Sequence, residues 1–223
     1  MMDFTAERDF KARLSKDKTG LIAGVDEAGR GALSGPVVAA AVVFADYSAA
    51  ESFLSAVNDS KKLTPAKRER LYEAMCADDN VMTGVGIVDN GMIDDVNILN
   101  ATFKAMVDAV DALPEIPDGV IIDGNKIPPA LSLPALAVVK GDAKIISVAA
   151  ASIIAKVTRD RIMTELSGQY PVYEWNVNKG YGTAKHYEML AKYGPCPYHR
   201  RSFRLDRQSS PLDNQCRTLF PNL

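Results

Sequence analysis

The chain has 223 residues, 47% of them hydrophobic and 24% charged, and a net charge of −2. That length suffices for one well-cored unit burying roughly 70% of its unfolded surface, and the composition excludes a disordered or fibrous protein. Cys76, Cys196 and Cys216 are scattered and form neither a disulfide framework nor a CxxC zinc pair, while a polar first 18 residues and no bilayer-length apolar run lead to the expectation of a cytoplasmic protein with no membrane partner.

Leu21 to Asp26 and Pro36 to Phe44 are short apolar runs on either side of the Gly-rich EAGRGALSG. They predict neighbouring strands joined by a tight loop, although the alanines of 37–43 also permit a helix. Thr64 followed by Pro65 predicts a helix start that continues to Cys76. Val81 to Val88 has a strand pattern, and Asn97 to Leu113 has the spacing of an amphipathic helix. Gly119 to Ile122 and Ala135 to Val139 predict short buried strands. A long helix is expected from about Lys144 to Leu166, and a last short one from Lys185 to Lys192. This order predicts an α/β fold with a central mixed sheet flanked by helices, its function gathered at strand ends.

Charge is unevenly spread. Residues 89–118 hold seven acids and one lysine, whereas residues 179–207 hold seven Lys or Arg and two acids, together with both histidines, His186 and His199. The basic stretch suits a phosphate-binding face, and solvated helix faces explain it equally well.

Four acids stand at comparable places. Asp26 and Glu27 follow LIAGV, Asp123 follows GVII, and Asp142 follows ALAVVKG just before the long helix. If these strands adjoin, the carboxylates meet at one edge of the sheet, where they repel one another unless a cation is bound. Oxygen ligands with no His or Cys nearby suit Mg²⁺ or Mn²⁺ and phosphoryl chemistry. Each acid taken alone is also a plain turn former or helix cap.

The series GVDEAGRGALSGPVVAAAVV, NDSKKL, IIDGN, VVKGDAK, SVAAASIIAKVTRD, KGYGTAKH and HRRSF, running from Gly24 to Phe203, resembles the ribonuclease HII family of type 2 ribonucleases H. The resemblance implies one catalytic domain over residues 1–223 with an RNase H-like fold. Its core would span about 20–170 and a small, basic helical part about 171–207, leaving a tail, 208–223, without an assigned role. It implies cleavage of the RNA strand of RNA–DNA hybrids, and cutting 5′ of single ribonucleotides embedded in duplex DNA, with Mn²⁺ or Mg²⁺, two ions per site when substrate is bound. The family's acidic site falls on Asp26, Glu27, Asp123 and Asp142. Gly29, Arg30 and Gly31 match the loop that reads the ribose 2′-OH, and Tyr181 matches a tyrosine packing on the next deoxyribose; a turn and a loop anchor are the plainer readings.

Lys61, Lys62, Lys144 and the run His199-Arg200-Arg201 resemble partners of phosphates and of the acid cluster; simple exposed cations explain Lys62 and Arg201 as well. His186 and His199 are expected to be structural, and Ser147, Ser152 and Lys156 are read mainly as part of the helix core. Ala32 stands where many family members carry Pro. The segment Gln215 to Leu223 lacks the paired aromatics of a sliding-clamp motif, so no clamp partner is expected; a monomer is expected besides. A phosphohydrolase acting on other esters and a non-catalytic hybrid-binding module are the alternatives.

Overall fold

The computed structural model describes residues 3–14, 20–48, 57 and 63–206. Five strands, β1 (Ile22–Ala28), β2 (Val37–Phe44), β3 (Val81–Val88), β4 (Gly119–Asp123) and β5 (Ala135–Val138), form one mixed sheet in the order β3-β2-β1-β4-β5. The hairpin β1–β2 and its neighbour β3 are antiparallel, whereas β4 and β5 run parallel to β1. The helices are α1 (Thr5–Arg13), α2 (Pro65–Ala77), α3 (Asn90–Asp111), α4 (Ile146–Gln169), α5 (Trp175–Asn178) and α6 (Ala184–Tyr193). No helix among the described residues is long and apolar enough to cross a membrane.

Strand alternation explains why β2 is apolar at every position. Val37, Ala39, Ala41 and Val43 face α3, while Ala40, Val42 and Phe44 face α4 and α2. A strand covered on both faces carries no polar side. On β1 the same alternation turns Gly24 to α4, and a Cβ there would lie 2.1 Å from the carbonyl carbon of Ser147. The glycine therefore lets the start of α4 sit directly on the strand.

The strand and helix expectations hold, with four differences. First, α1 was not foreseen. Its Glu7 is fully buried and accepts hydrogen bonds from the Ser147 amide (3.0 Å) and hydroxyl (2.8 Å), supplying a cap that the N-cap residue of α4, Ile145, does not provide. Second, the helix expected from Asn97 begins at Asn90. Asn97 (φ 69°) breaks it, and its side chain accepts from the amides of Leu99 and Asn100, capping the second segment. Third, β5 is not buried: it pairs only with β4, and Leu136 is exposed at this sheet edge. Fourth, α5, with the 3₁₀ turn Pro171–Tyr173 before it, packs Trp175 and Tyr173 against Met163 and Leu166 of α4.

Candidate active site

Parallel pairing of β1 with β4 sets Val25 opposite Ile122, which brings Asp26, two residues before the end of β1, level with Asp123, the last residue of β4. Asp123 in turn faces Val138 of β5. The chain then turns through Lys140 in the left-handed region and a 3₁₀ turn, Gly141–Ala143, that holds Asp142. The Gly141 amide donates to Asp123 Oδ1 at 2.6 Å, so the third acid and the approach to the fourth are hydrogen-bonded together. Asp26, Glu27 and Asp123 thus lie at one end of the sheet, and the turn that carries Asp142 is tied to Asp123 there.

Their electrostatics are unfavourable in the absence of a counter-charge. Asp26 is buried, and its carboxyl is pushed up to about 8, first by burial and then by repulsion from Glu27, with Asp123 adding to it. A hydrogen bond from Ser152 on α4 and one from the Glu27 amide (2.7 Å) oppose that rise. Burial also raises Glu27; the Arg30 guanidinium, 3.1 Å from its Oε1, opposes this, and Asp123 adds repulsion. The other Glu27 oxygen, Oε2, is buried without a hydrogen-bond partner. Adjacent strand positions send Asp26 and Glu27 to opposite sides of β1, and Asp123 lies near enough to repel both. Accordingly, among the described residues no three His, Cys, Asp or Glu side chains are already grouped closely enough to hold a metal. An orphaned buried oxygen among oxygen-only donors nevertheless fits a hard divalent cation. Ser152 was read from the sequence as core; a serine among the alanines and isoleucines of α4 was the available signal.

The loop after β1 is built from backbone. Gly29 has φ +96°, and a Cβ there would lie 2.0 Å from Arg159 Nε, so only glycine fits over that guanidinium. A Cβ at Gly31 would meet nothing within 4 Å, leaving that side of the loop open. Arg30 is exposed apart from its pair with Glu27. Ala32 forms a β-bridge with Tyr181, and the Leu33 amide donates to the Gly180 carbonyl (2.8 Å), so the predicted ribose-reading loop and Tyr181 share one platform. Lys156 Nζ and Arg159 Cζ lie 5.5 and 5.2 Å from the centre of the Tyr181 ring.

Arg200 is corrected by this geometry. It was expected to touch phosphate, but it is fully buried, and its guanidinium donates to the carbonyls of Gly35 (3.0 Å), Arg30 (3.0 Å) and Pro36 (3.1 Å). Burial and the nearby charge of Arg159 push it down to about 9. It supports the loop from behind. Arg159, equally buried, donates to Pro36, Ser34 and Lys179 carbonyls. Lys144 is exposed, donates to the Val139 carbonyl (2.7 Å) and stands two residues beyond Asp142. Lys61 and Lys62 lie outside the described residues. His186 and His199 are buried and bonded to each other (3.1 Å), as structural histidines.

A cavity of about 220 Å³ opens beside Asp123, lined also by Arg30, Phe103, Met106 and Asn125. A larger groove of about 620 Å³ lies between α2 and α4, lined by Arg68, Glu69 and Arg161 but by none of the four acids. Proximity to the carboxylates makes the smaller cavity the relevant one.

Comparison with known proteins agrees with this picture. The profile of the ribonuclease HII family matches residues 23–206. Ribonuclease HII of Caldicellulosiruptor saccharolyticus is 49% identical over 195 residues, covering 87% of this chain and 92% of its own. The crystal structure of ribonuclease H2 from Pyrococcus horikoshii OT3 superposes with a TM-score of 0.68 at 30% identity, covering 91% of this chain and all of that one. The Mn²⁺ complex of Bst-RNase HIII shares the fold (TM-score 0.67, 21% identity, 92% of this chain and 73% of that one).

Proposed function

This chain belongs to the ribonuclease HII family, and we propose that it cuts RNA–DNA hybrids and single ribonucleotides embedded in duplex DNA at the Asp26–Glu27–Asp123–Asp142 site. It is a ribonuclease H, an endonuclease that hydrolyses phosphodiester bonds in RNA–DNA hybrids. The observation that carries the assignment of the site is the level placement of Asp26 and Asp123 on adjacent parallel strands, with Gly141 tying Asp123 to the turn that holds Asp142.

Asp26, Glu27, Asp123 and Asp142 would hold Mn²⁺ or Mg²⁺, two ions when substrate is present; the buried, unpartnered Glu27 Oε2 supports this. Such ions, when bound, supply charge that eases attack of water on phosphorus and departure of the 3′-oxygen. The protein's own contribution is placement. Ser152 and the Glu27 amide fix the Asp26 carboxylate, and Gly141 fixes that of Asp123. Open space around Gly31 lets backbone approach a ribose 2′-OH, the local group that distinguishes RNA from DNA. Tyr181, bridged to Ala32, would lie against the following deoxyribose, where a 2′-OH would crowd the ring. The cut then falls 5′ of the ribonucleotide and leaves 3′-hydroxyl and 5′-phosphate ends. Lys144 is proposed as a phosphate partner. Action as a monomer in the cytoplasm, without a clamp partner, completes the proposal; the scattered cysteines and the lack of paired aromatics in Gln215–Leu223 support it.

The test is incubation of a long hybrid and of a duplex with one ribonucleotide with Mg²⁺, with Mn²⁺, and with excess EDTA. Cleavage of both with either cation and of neither with EDTA is expected; cleavage that survives EDTA overturns the metal assignment.

A further inference from the structure

Behind Tyr181 lies a buried polar chain whose direction is fixed by two groups that can only donate, the Cys196 amide and the Trp175 indole N–H. The Cys196 amide donates to His199 Nδ1 at 3.1 Å. A backbone N–H is only a donor, so that ring nitrogen carries the lone pair and the His199 proton resides on Nε2. Nε2 lies 3.1 Å from His186 Nε2, whose single lone pair is then shared between this donor and the Trp175 Nε1–H at 3.2 Å. His186 must then carry its proton on Nδ1, and Nδ1 lies 3.0 Å from the Tyr181 carbonyl oxygen. Both rings are fully or almost fully buried, flanked by Tyr173 and Trp175. The same Tyr181 carbonyl accepts from the Thr183 amide (2.8 Å), and Thr183 caps α6 through the His186 amide.

We propose that His186 and His199 are positioning residues that hold Tyr181 in the register needed to read the sugar after the ribonucleotide. The inference rests on the junction-reading role given to Tyr181 above. The relay leaves a neutral pair with one tautomer each, so the Tyr181 carbonyl receives a donor of fixed direction. Without it, the Tyr181 backbone keeps the Ala32 bridge, the Asn178 carbonyl and the Thr183 amide but loses the side-chain donor that aims its carbonyl. A slack tyrosine matters most where only one register is productive, at a lone ribonucleotide. A long hybrid offers a ribose in every register.

The experiment measures, for each protein, the ratio of kcat/KM on a single-ribonucleotide duplex to that on a long RNA–DNA hybrid. Any misfolded fraction lowers both rates equally and leaves the ratio unchanged. His186→Leu is expected to lower the ratio about tenfold, the scale of losing one buried hydrogen bond. His186→Asn, whose amide places a donor near Nδ1, keeps the wild-type ratio. In His199→Leu the Trp175 indole still holds the His186 tautomer, so a smaller fall, about threefold, is expected, and His199→Gln should keep the wild-type ratio; this pair decides the matter if His186→Leu is inactive on both substrates. Unchanged ratios in the leucine variants, or equal falls in the leucine and amide variants, overturn the proposal. A wild-type protein that leaves the lone ribonucleotide uncut, or Tyr181→Ala with an unchanged ratio, instead overturns the junction reading itself.

Discussion

Asp123 accepts a 2.6 Å hydrogen bond from the amide of Gly141, the residue before Asp142. A strand-end carboxylate is thereby fastened to the turn that carries its neighbour, although 18 residues separate them in sequence. One side of Asp123 is fixed by this bond, and the carboxylate repels both Asp26 and Glu27.

Removing a carboxylate from this cluster should separate activity from stability. Asp26→Asn and Asp123→Asn are expected to lower hybrid cleavage by at least roughly 10²–10³-fold, the scale of deleting one preorganised electrostatic group. Thermal unfolding without added metal should show both variants at least as stable as wild type, because repulsion is relieved. Asp142→Asn should be milder, since that residue is less buried than Asp26. Near-wild-type rates in Asp26→Asn would remove it from the site.

Arg200 gives the clearest expectation for stability. Its truncation leaves the carbonyls of Gly35 and Arg30 without this donor, while that of Pro36 keeps Arg159. Each unsatisfied group costs about 1–3 kcal/mol, so Arg200→Ala should lose about 3 kcal/mol or more in urea unfolding. Arg200→Lys should recover only part of that, because an ammonium does not reproduce the planar fork. A loss under about 0.5 kcal/mol, typical of a surface substitution, would show that the buried network carries little.

Much of the architecture was legible because burial leaves a period. The two-sided burial of β2 reads as an unbroken apolar run, and the second segment of α3 reads through the spacing of Ile98, Leu99, Phe103, Met106, Val107 and Val110. The acids were legible because each follows such a run. What was hidden depends on long-range partners. In α1 a buried charge, Glu7, interrupts the apolar pattern, and its partner Ser147 is 140 residues away; the helix also lies outside the family match. Arg200 reads as a surface cation until carbonyls some 165 residues distant are placed around it. Asn97 marks a break only because its side chain caps the next segment.

The histidine pair sets a pH dependence. Burial lowers His186, and burial together with His186 pushes His199 down to about 4, both below the 6.5 of an unconstrained histidine. As pH falls, the unfolded chain takes up these protons first. The stabilisation is therefore complete above about pH 6.5 and is lost progressively from there towards pH 4. The limiting slope is about 1.4 kcal/mol per pH unit for each histidine. Unfolding free energies of wild type and His199→Gln between pH 4 and 7 check this: the wild-type curve should fall more steeply. Parallel curves would mean that His199 does not titrate with unfolding.

The basic stretch 179–207 is less free than its sequence suggests, since Arg200 is buried and Lys179 donates to Thr164. Lys185, Lys192, Arg201 and Arg204 remain exposed. Binding of an uncleavable hybrid in Ca²⁺ should weaken with salt, with a log–log slope of about −3 to −4 at roughly −0.9 per phosphate neutralised. A flat profile would leave this stretch as a solvated surface.

The measurement that bears most directly on the whole account is the mapping of ends produced from a labelled DNA duplex containing one ribonucleotide, with Mg²⁺ or Mn²⁺. The wild-type protein should give a single cut 5′ of the ribonucleotide, with a 3′-hydroxyl upstream and a 5′-phosphate on the ribonucleotide, and Asp123→Asn should give none. An uncut duplex with both cations, or the same products from folded Asp123→Asn, would contradict it.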